Sequence, residues 1–273
     1  MKKARATHRI TMLLLCVASL FILIPVYLVV VNSFKSRNSA ALMNLSLPDS
    51  WHLADNYLDM IREGNVWVGF RNSVLITVIC VFLIILLSSS MAFILQRNKD
   101  RLARSMNQFV ILGLVLPLQI IPTFFVCDFL GLSHVLSAIF VLIVANMSFT
   151  VFLYTGYLKS IPADIDESAW LDGAGTFTLF FHIIFPLLTP VTVTSIIISF
   201  MAVWNDFGIS IYFLNSARNF TLPLTIYNFF GNHGNDWNLV FANVVFSTLP
   251  VAVIYLSLQK YIITGMTSGA VKG

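Results

Sequence analysis

Between Ser160 and Pro186 the sequence reads SIPADIDESAWLDGAGTFTLFFHIIFP, a short acidic stretch set between two long apolar runs. Its residue types suit docking better than bond-making. Pro162 followed by Asp164, Asp166 and Glu167 predicts a helix opening there, because proline tolerates an early helical position and carboxylates complement the positive helix end. Gly173 and Gly175 predict its stop. A second helix opening near Thr176 would then run through Phe177, Phe180, Phe181 and Ile184, giving a helix-glycine-helix elbow. Four carboxylates (Asp164, Asp166, Glu167, Asp172) stand here against Lys159 alone. Such a face suits a protein partner better than anionic headgroups.

Other residues with chemical potential are scattered. Asp128 precedes Gly131 near the end of an apolar run, where it either lines a path or caps a solvated helix end. Asn146 lies inside another run, where an amide either bonds a neighbouring helix or faces a solute. Trp204, Asn205 and Asp206 close a third run with an aromatic and two polar groups. No Gly-x4-Gly-Lys-Ser/Thr loop occurs, so ATP hydrolysis is not expected of this chain. His8, His52, His134, His182 and His233 lie in separate segments without metal-ligand spacing, and Cys16, Cys80 and Cys127 read as small packing residues. Paired nucleophile and base are missing from the apolar runs, which argues against an intramembrane hydrolase.

The elements that must position these residues are membrane helices. A chain that is 58% hydrophobic and 10% charged departs from the soluble pattern, in which about a quarter of residues are charged. Six runs are long enough to span: about 12–34, 72–96, 106–127, 135–158, 183–204 and 238–259. None alternates apolar with polar residues, which leaves helices and excludes a barrel. Pro117 and Pro122 predict a kinked third helix. With the N-terminus inside, eleven of the sixteen basic residues fall inside (Lys2, Lys3, Arg5, Arg9, Arg97, Lys99, Arg101, Arg104, Lys159, Lys260, Lys272). That bias sets both termini in the cytoplasm. The net charge of +4 is thus a topology signal, and nucleic acid is not an expected partner.

Glu167-Ser168-Ala169, three residues, Gly173, nine residues, then Ile183-Ile184-Phe185-Pro186 resembles the coupling loop of ABC importer permeases, Glu-Ala-Ala, x3, Gly, x9, Ile-x-Leu-Pro. Two positions depart from that pattern: Ser168 stands for the second Ala and stays small, and Phe185 stands for the Leu and stays apolar. Trp204-Asn205-Asp206-Phe207, Thr221-Leu222-Pro223 and the tail from Gly265 are similar to the maltose-type carbohydrate branch, and the tail to its MalG-like permeases. The resemblance implies an all-α integral membrane protein with a type I importer core. Its expected parts are a cytoplasmic N-terminus (1–11), a first span (12–34), an extracytoplasmic loop (35–71), a five-helix core (72–263) with the coupling loop at 160–182, and a cytoplasmic tail (264–273).

The resemblance further implies a sugar importer subunit that pairs with a homologous second permease, two cytoplasmic ATPase subunits that hold ATP and magnesium, and an extracytoplasmic sugar-binding protein. Glu167, Ser168, Ala169, Asp172 and Gly173 would contact the ATPase. Gly265, Thr267, Gly269 and Lys272 would reach the interface between the ATPase subunits. Asn146, Trp204, Asn205, Asp206 and Asp128 are the candidates for the solute path. The alternatives are a permease for another polar solute and a proton-coupled transporter built on Asp128.

Overall fold

The computed structural model describes residues 2–98, 100–231 and 234–270, and at 2–10, 13, 231, 234 and 258–270 the backbone alone. Among the described residues the regular structure is helical apart from one pair of two-residue strands, and the rest is loop and turn. In chain order the helices are α1 (Lys2–Asn32), α2 (Arg37–Ala40), α3 (Leu53–Glu63), α4 (Val66–Arg97), α5 (Arg101–Val115), α6 (Ile120–Phe129), α7 (His134–Leu158) and α8 (Asp164–Leu171). There follow α9 (Thr176–Leu187), α10 (Thr189–Trp204), α11 (Ser210–Phe213), a 3-10 turn at Pro223–Phe229, the pair β1 (Phe230–Gly231) and β2 (Gly234–Asn235), and α12 (Trp237–Ala270).

Among the described residues four helical stretches are long and apolar enough to cross a membrane: Leu14–Asn32, Val66–Arg97, His134–Leu158 and Trp237–Ser257. A fifth arises if α9 and α10, bent by 78° at Leu188, count as one crossing. The third apolar run is two helices, α5 and α6, where a single kinked helix is the expectation from sequence. Leu116 is extended, with φ −81° and ψ 124°. The ring of Pro117 clashes with a helical conformation at the preceding residue and drives it there. Pro122 lies in the first turn of α6, where its missing N–H breaks no bond.

The described residues form two compact units. One comprises residues up to 69 together with 222–249. Its centre is the amide of Asn56, 5% exposed, which donates to the carbonyls of Ser33 and Lys35 at 2.9 Å each and accepts from Asn238 at 2.7 Å. The ammonium of Lys35, also buried, donates to the carbonyl and side-chain oxygens of Asn44 at 3.0 and 2.7 Å. Burial pushes its pKa below 10.5, opposed by the charge of Asp49. Arg37 pairs with Asp236 at 2.6 Å. These bonds give a shape to the stretch after α1 that its mixed composition does not announce.

The second unit comprises 70–221 and the residues from 250 on. Its core gathers Phe93 of α4, Val110 of α5, Tyr154 and Leu158 of α7, Leu179, Phe180 and Ile184 of α9, and Leu188. Tyr154 is fully buried, and its hydroxyl lies 3.0 Å from that of Thr192, tying α7 to α10. Without this partner the phenol would be a costly polar group in an apolar interior.

Candidate functional site

The acidic stretch folds as its residues dictate locally. Asp164, Asp166 and Glu167 occupy the first turn of α8. At the other end Gly173 takes φ +84°, a left-handed conformation that costs a side-chain-bearing residue about 1–2 kcal/mol. Its N–H bonds the carbonyl of Trp170 at 3.0 Å, and that of Ala174 bonds Ala169 at 2.9 Å. This pair of bonds is a Schellman cap, which satisfies carbonyls the helix end would leave bare.

After the cap the chain re-enters a helix at Thr176, as its sequence predicts, but the middle of α9, Leu179–Ile184, is π-helical. Pro186 and Pro190 lack the N–H groups that a continuous α-helix would use, and the axis turns at Leu188 between them. The rings of Phe180 and Phe93 lie 5.3 Å apart, and Phe180 meets Phe181 edge to face at 4.8 Å. The elbow is therefore embedded by its inner face in the core that α4 and α7 share.

One carboxylate of the four also faces inward. Asp166 is 4% exposed, and Nη2 of Arg97 donates to its Oδ1 at 3.2 Å. Nε of Arg97 lies 2.6 Å from Oδ2, out of line for a straight N–H bond. The same guanidinium reaches the carbonyl of Ile161 at 3.4 Å. Arg97 ends α4, so this clamp fixes α8 to the base of a long membrane helix. The sequence signals Arg97 only as a member of the inside cations, since its partner is 69 residues away.

The outward face is of another character. Asp164, Glu167, Ser168 and Asp172 are exposed, as are Trp170, Leu171 at 89% and Phe177 at 77%. The hydroxyl of Ser168 donates back to the Asp164 carbonyl at 2.8 Å, which removes a polar group from the surface. A shallow hollow of about 360 Å³ runs beside Asp164, Ile165, Ser168, Ala169, Asp172 and Ile183. Ala169 packs with the core and lies at the floor of that hollow, so of the five contact candidates it alone is buried. The surface is one of carboxylates around large apolar side chains, the composition of a protein contact with a charged rim.

The remaining candidates do not come together. Trp204 is 3% exposed, stacked on Phe200 at 5.4 Å and edge-on to Phe70 at 6.0 Å. The carboxylate of Asp206 accepts from the Ser210 N–H and hydroxyl, both at 2.8 Å, and so caps α11. Asn205 and Asn146 donate to carbonyls one turn earlier on their own helices, Met201 at 2.9 Å and Leu142 at 2.8 Å. Asp128 stands exposed near the end of α6. Gly265, Thr267 and Gly269 lie on the backbone of α12, and Lys272 lies outside the described residues.

Residues 84–268 match the family described as binding-protein-dependent transport system inner membrane component. The chain is 34% identical, over the full length of both, to a probable starch degradation products transport system permease protein of Thermoanaerobacterium thermosulfurigenes. It is 34% identical over the full length of both to the melibiose/raffinose/stachyose import permease protein of Bacillus subtilis. With a multiple sugar-binding transport system permease protein of Streptococcus mutans it shares 36% identity over 95% of each chain. A chain in the crystal structure of a bacterial ABC transporter involved in the import of the acidic polysaccharide alginate has the same fold, with TM-score 0.81 and 21% identity over 96% of this chain and 98% of that one.

Proposed function

The chain belongs to the family of binding-protein-dependent transport system inner membrane components, and from that premise we propose that it is the permease subunit of an ATP-driven importer carrying a di- or oligosaccharide into the cytoplasm. It is a multi-pass protein of the cytoplasmic membrane, a transport subunit and not an enzyme. The names of its relatives support a sugar as the solute: starch degradation products, melibiose/raffinose/stachyose, and a multiple sugar-binding system. Six crossings serve this reading, namely α1, α4, α5 with α6, α7, α9 with α10, and α12. The excess of inside cations supports placing both termini in the cytoplasm.

The observation that carries the mechanism is the two-faced elbow. Its outer face offers the side chains of Glu167, Asp172, Trp170 and Leu171 without side-chain partners among the described residues, while its inner face is clamped by Arg97 and packed on Phe93. A partner ATPase that holds ATP and magnesium would grip Glu167, Ser168, Asp172 and the Gly173 turn, with Ala169 letting α8 sit close to the core behind them. The tail residues Gly265, Thr267, Gly269 and Lys272 would reach between the two ATPase subunits. Closure of those subunits would push the elbow, and the clamp would pass the displacement to α4 and α7 as a switch between two packings of the bundle. A homologous second permease would complete the path, and an external sugar-binding protein would deliver the solute. Along that path Asn146, Asn205 and Asp128 are the groups with polar atoms to offer, whereas Trp204 and Asp206 shape the wall.

Co-purification tests the reading. The tagged chain extracted in mild detergent is expected to bring an ATPase and a second permease, and Glu167→Lys or removal of the tail from Gly265 is expected to weaken their recovery. A chain that emerges alone would overturn it. Uptake that survives ATPase loss and fails with Asp128→Asn would replace it with the proton-coupled alternative.

A further inference from the structure

A cleft of about 120 Å³ opens between α5 and α7, lined by Asn107 and Ile111 on one side and by Phe152, Thr155, Gly156 and Lys159 on the other. The two helices run antiparallel here. Lys159 closes α7 at the level where Asn107 begins the cleft, and Gly113 further along α5 approaches Ser148 so closely that an added Cβ would lie 2.3 Å from its hydroxyl. The cleft is thus polar at one end and apolar at the other.

Three features define what it would hold. Lys159 is exposed and makes no ion pair among the described residues. The hydroxyl of Thr155 is buried yet has no hydrogen-bond partner, so a donor waits at the polar end. Beyond it the walls are Ile111 and Phe152, and at Gly156 the space is open, with nothing within 4 Å of an added Cβ. A neutral sugar would not need the cation, and a free anion would not need the apolar wall.

We propose that this cleft binds an anionic phospholipid of the inner leaflet, its phosphate held by Lys159, Asn107 and Thr155 and its upper acyl chain laid along Ile111 and Phe152. Basic side chains at the cytoplasmic ends of membrane helices attract such headgroups, and a lysine can extend along apolar surface to meet them. The proposal rests on the reading that the Lys159 end faces the cytoplasm. It places a lipid directly before the elbow, since Ser160 follows Lys159.

The test is native mass spectrometry of the chain with the subunits it retains in mild detergent, titrated separately with dioleoyl phosphatidylglycerol and dioleoyl phosphatidylcholine. Phosphatidylglycerol is expected to bind more tightly than phosphatidylcholine. Lys159→Gln should weaken it about fivefold, the effect of one cation near an anionic headgroup, and Lys159→Arg should restore it. Gly156→Leu should block it by filling the apolar end. Subunit recovery with each variant reports folding and assembly, so a failure here is distinct from failure of the importer reading. Unchanged phosphatidylglycerol binding in both Lys159→Gln and Gly156→Leu would overturn the proposal. Displacement of the lipid by millimolar inorganic phosphate would also overturn it, as the site would then be one for a free anion.

Discussion

On α8 and its C-cap the acidic and aromatic side chains Glu167, Asp172 and Trp170 stand in solvent with no side-chain partner among the described residues, whereas in the segment from Trp204 to Ser210 the same residue types are turned on their own chain. Trp204 is stacked away from solvent, and Asp206 spends its carboxylate on the N–H groups that open α11. The first segment lies between two apolar runs and the second closes one, and both resemble family motifs. The difference lies in what remains unsatisfied. A group whose hydrogen bonds and ring faces are already used inside the fold shapes a surface, and a group without such partners is free to meet another molecule.

Charge reversal is the strongest way to break that contrast. Glu167→Lys is expected to cut ATPase recovery and uptake about thirtyfold, the scale of a hot-spot contact of about 2 kcal/mol. Asp206→Asn, by pull-down and uptake in the same host, should change either by less than about twofold, because an amide oxygen can still cap α11. Equal effects at the two positions would erase the distinction.

The inner face of the elbow sets the next effect. Asp166→Ala leaves Arg97 mostly buried and unpaired, so a loss of about 3 kcal/mol is expected in thermal unfolding of the detergent-purified chain. Arg97→Leu combined with Asp166→Leu should recover most of it, since an apolar pair carries no desolvation cost. A double variant as unstable as the single one would mean that the clamp does more than neutralise itself.

Gly173→Ala should cost about 1–2 kcal/mol through the left-handed backbone alone, because nothing crowds the position. Gly173→Asn should cost less, asparagine being tolerant of that conformation. Smallest of all, Asp206→Ala should remove about 1 kcal/mol with the loss of a helix cap, and uptake by the folded fraction should persist. Uptake that collapses while the unfolding midpoint holds would instead make Asp206 a solute contact.

Much of this fold is legible without coordinates because it depends on neighbours in sequence. The length and apolarity of the runs determine that helices cross a membrane. The carboxylates of the first turn and Gly173 determine where α8 begins and ends, since capping acts within one turn. The resumption at Thr176 follows for the same reason. Other features depend on groups far apart in the chain. Which of four carboxylates turns inward was decided by Arg97 at the end of α4, and a short helix has no preferred face until a neighbour supplies one. Pro117 announces an interruption, yet its form as two separate helices needed the surrounding bundle. The pairing of Asn56 with Asn238 and the burial of Trp204 were likewise decided by packing, as hydrogen bonds and ring contacts between distant segments exist only once the chain has brought them within reach.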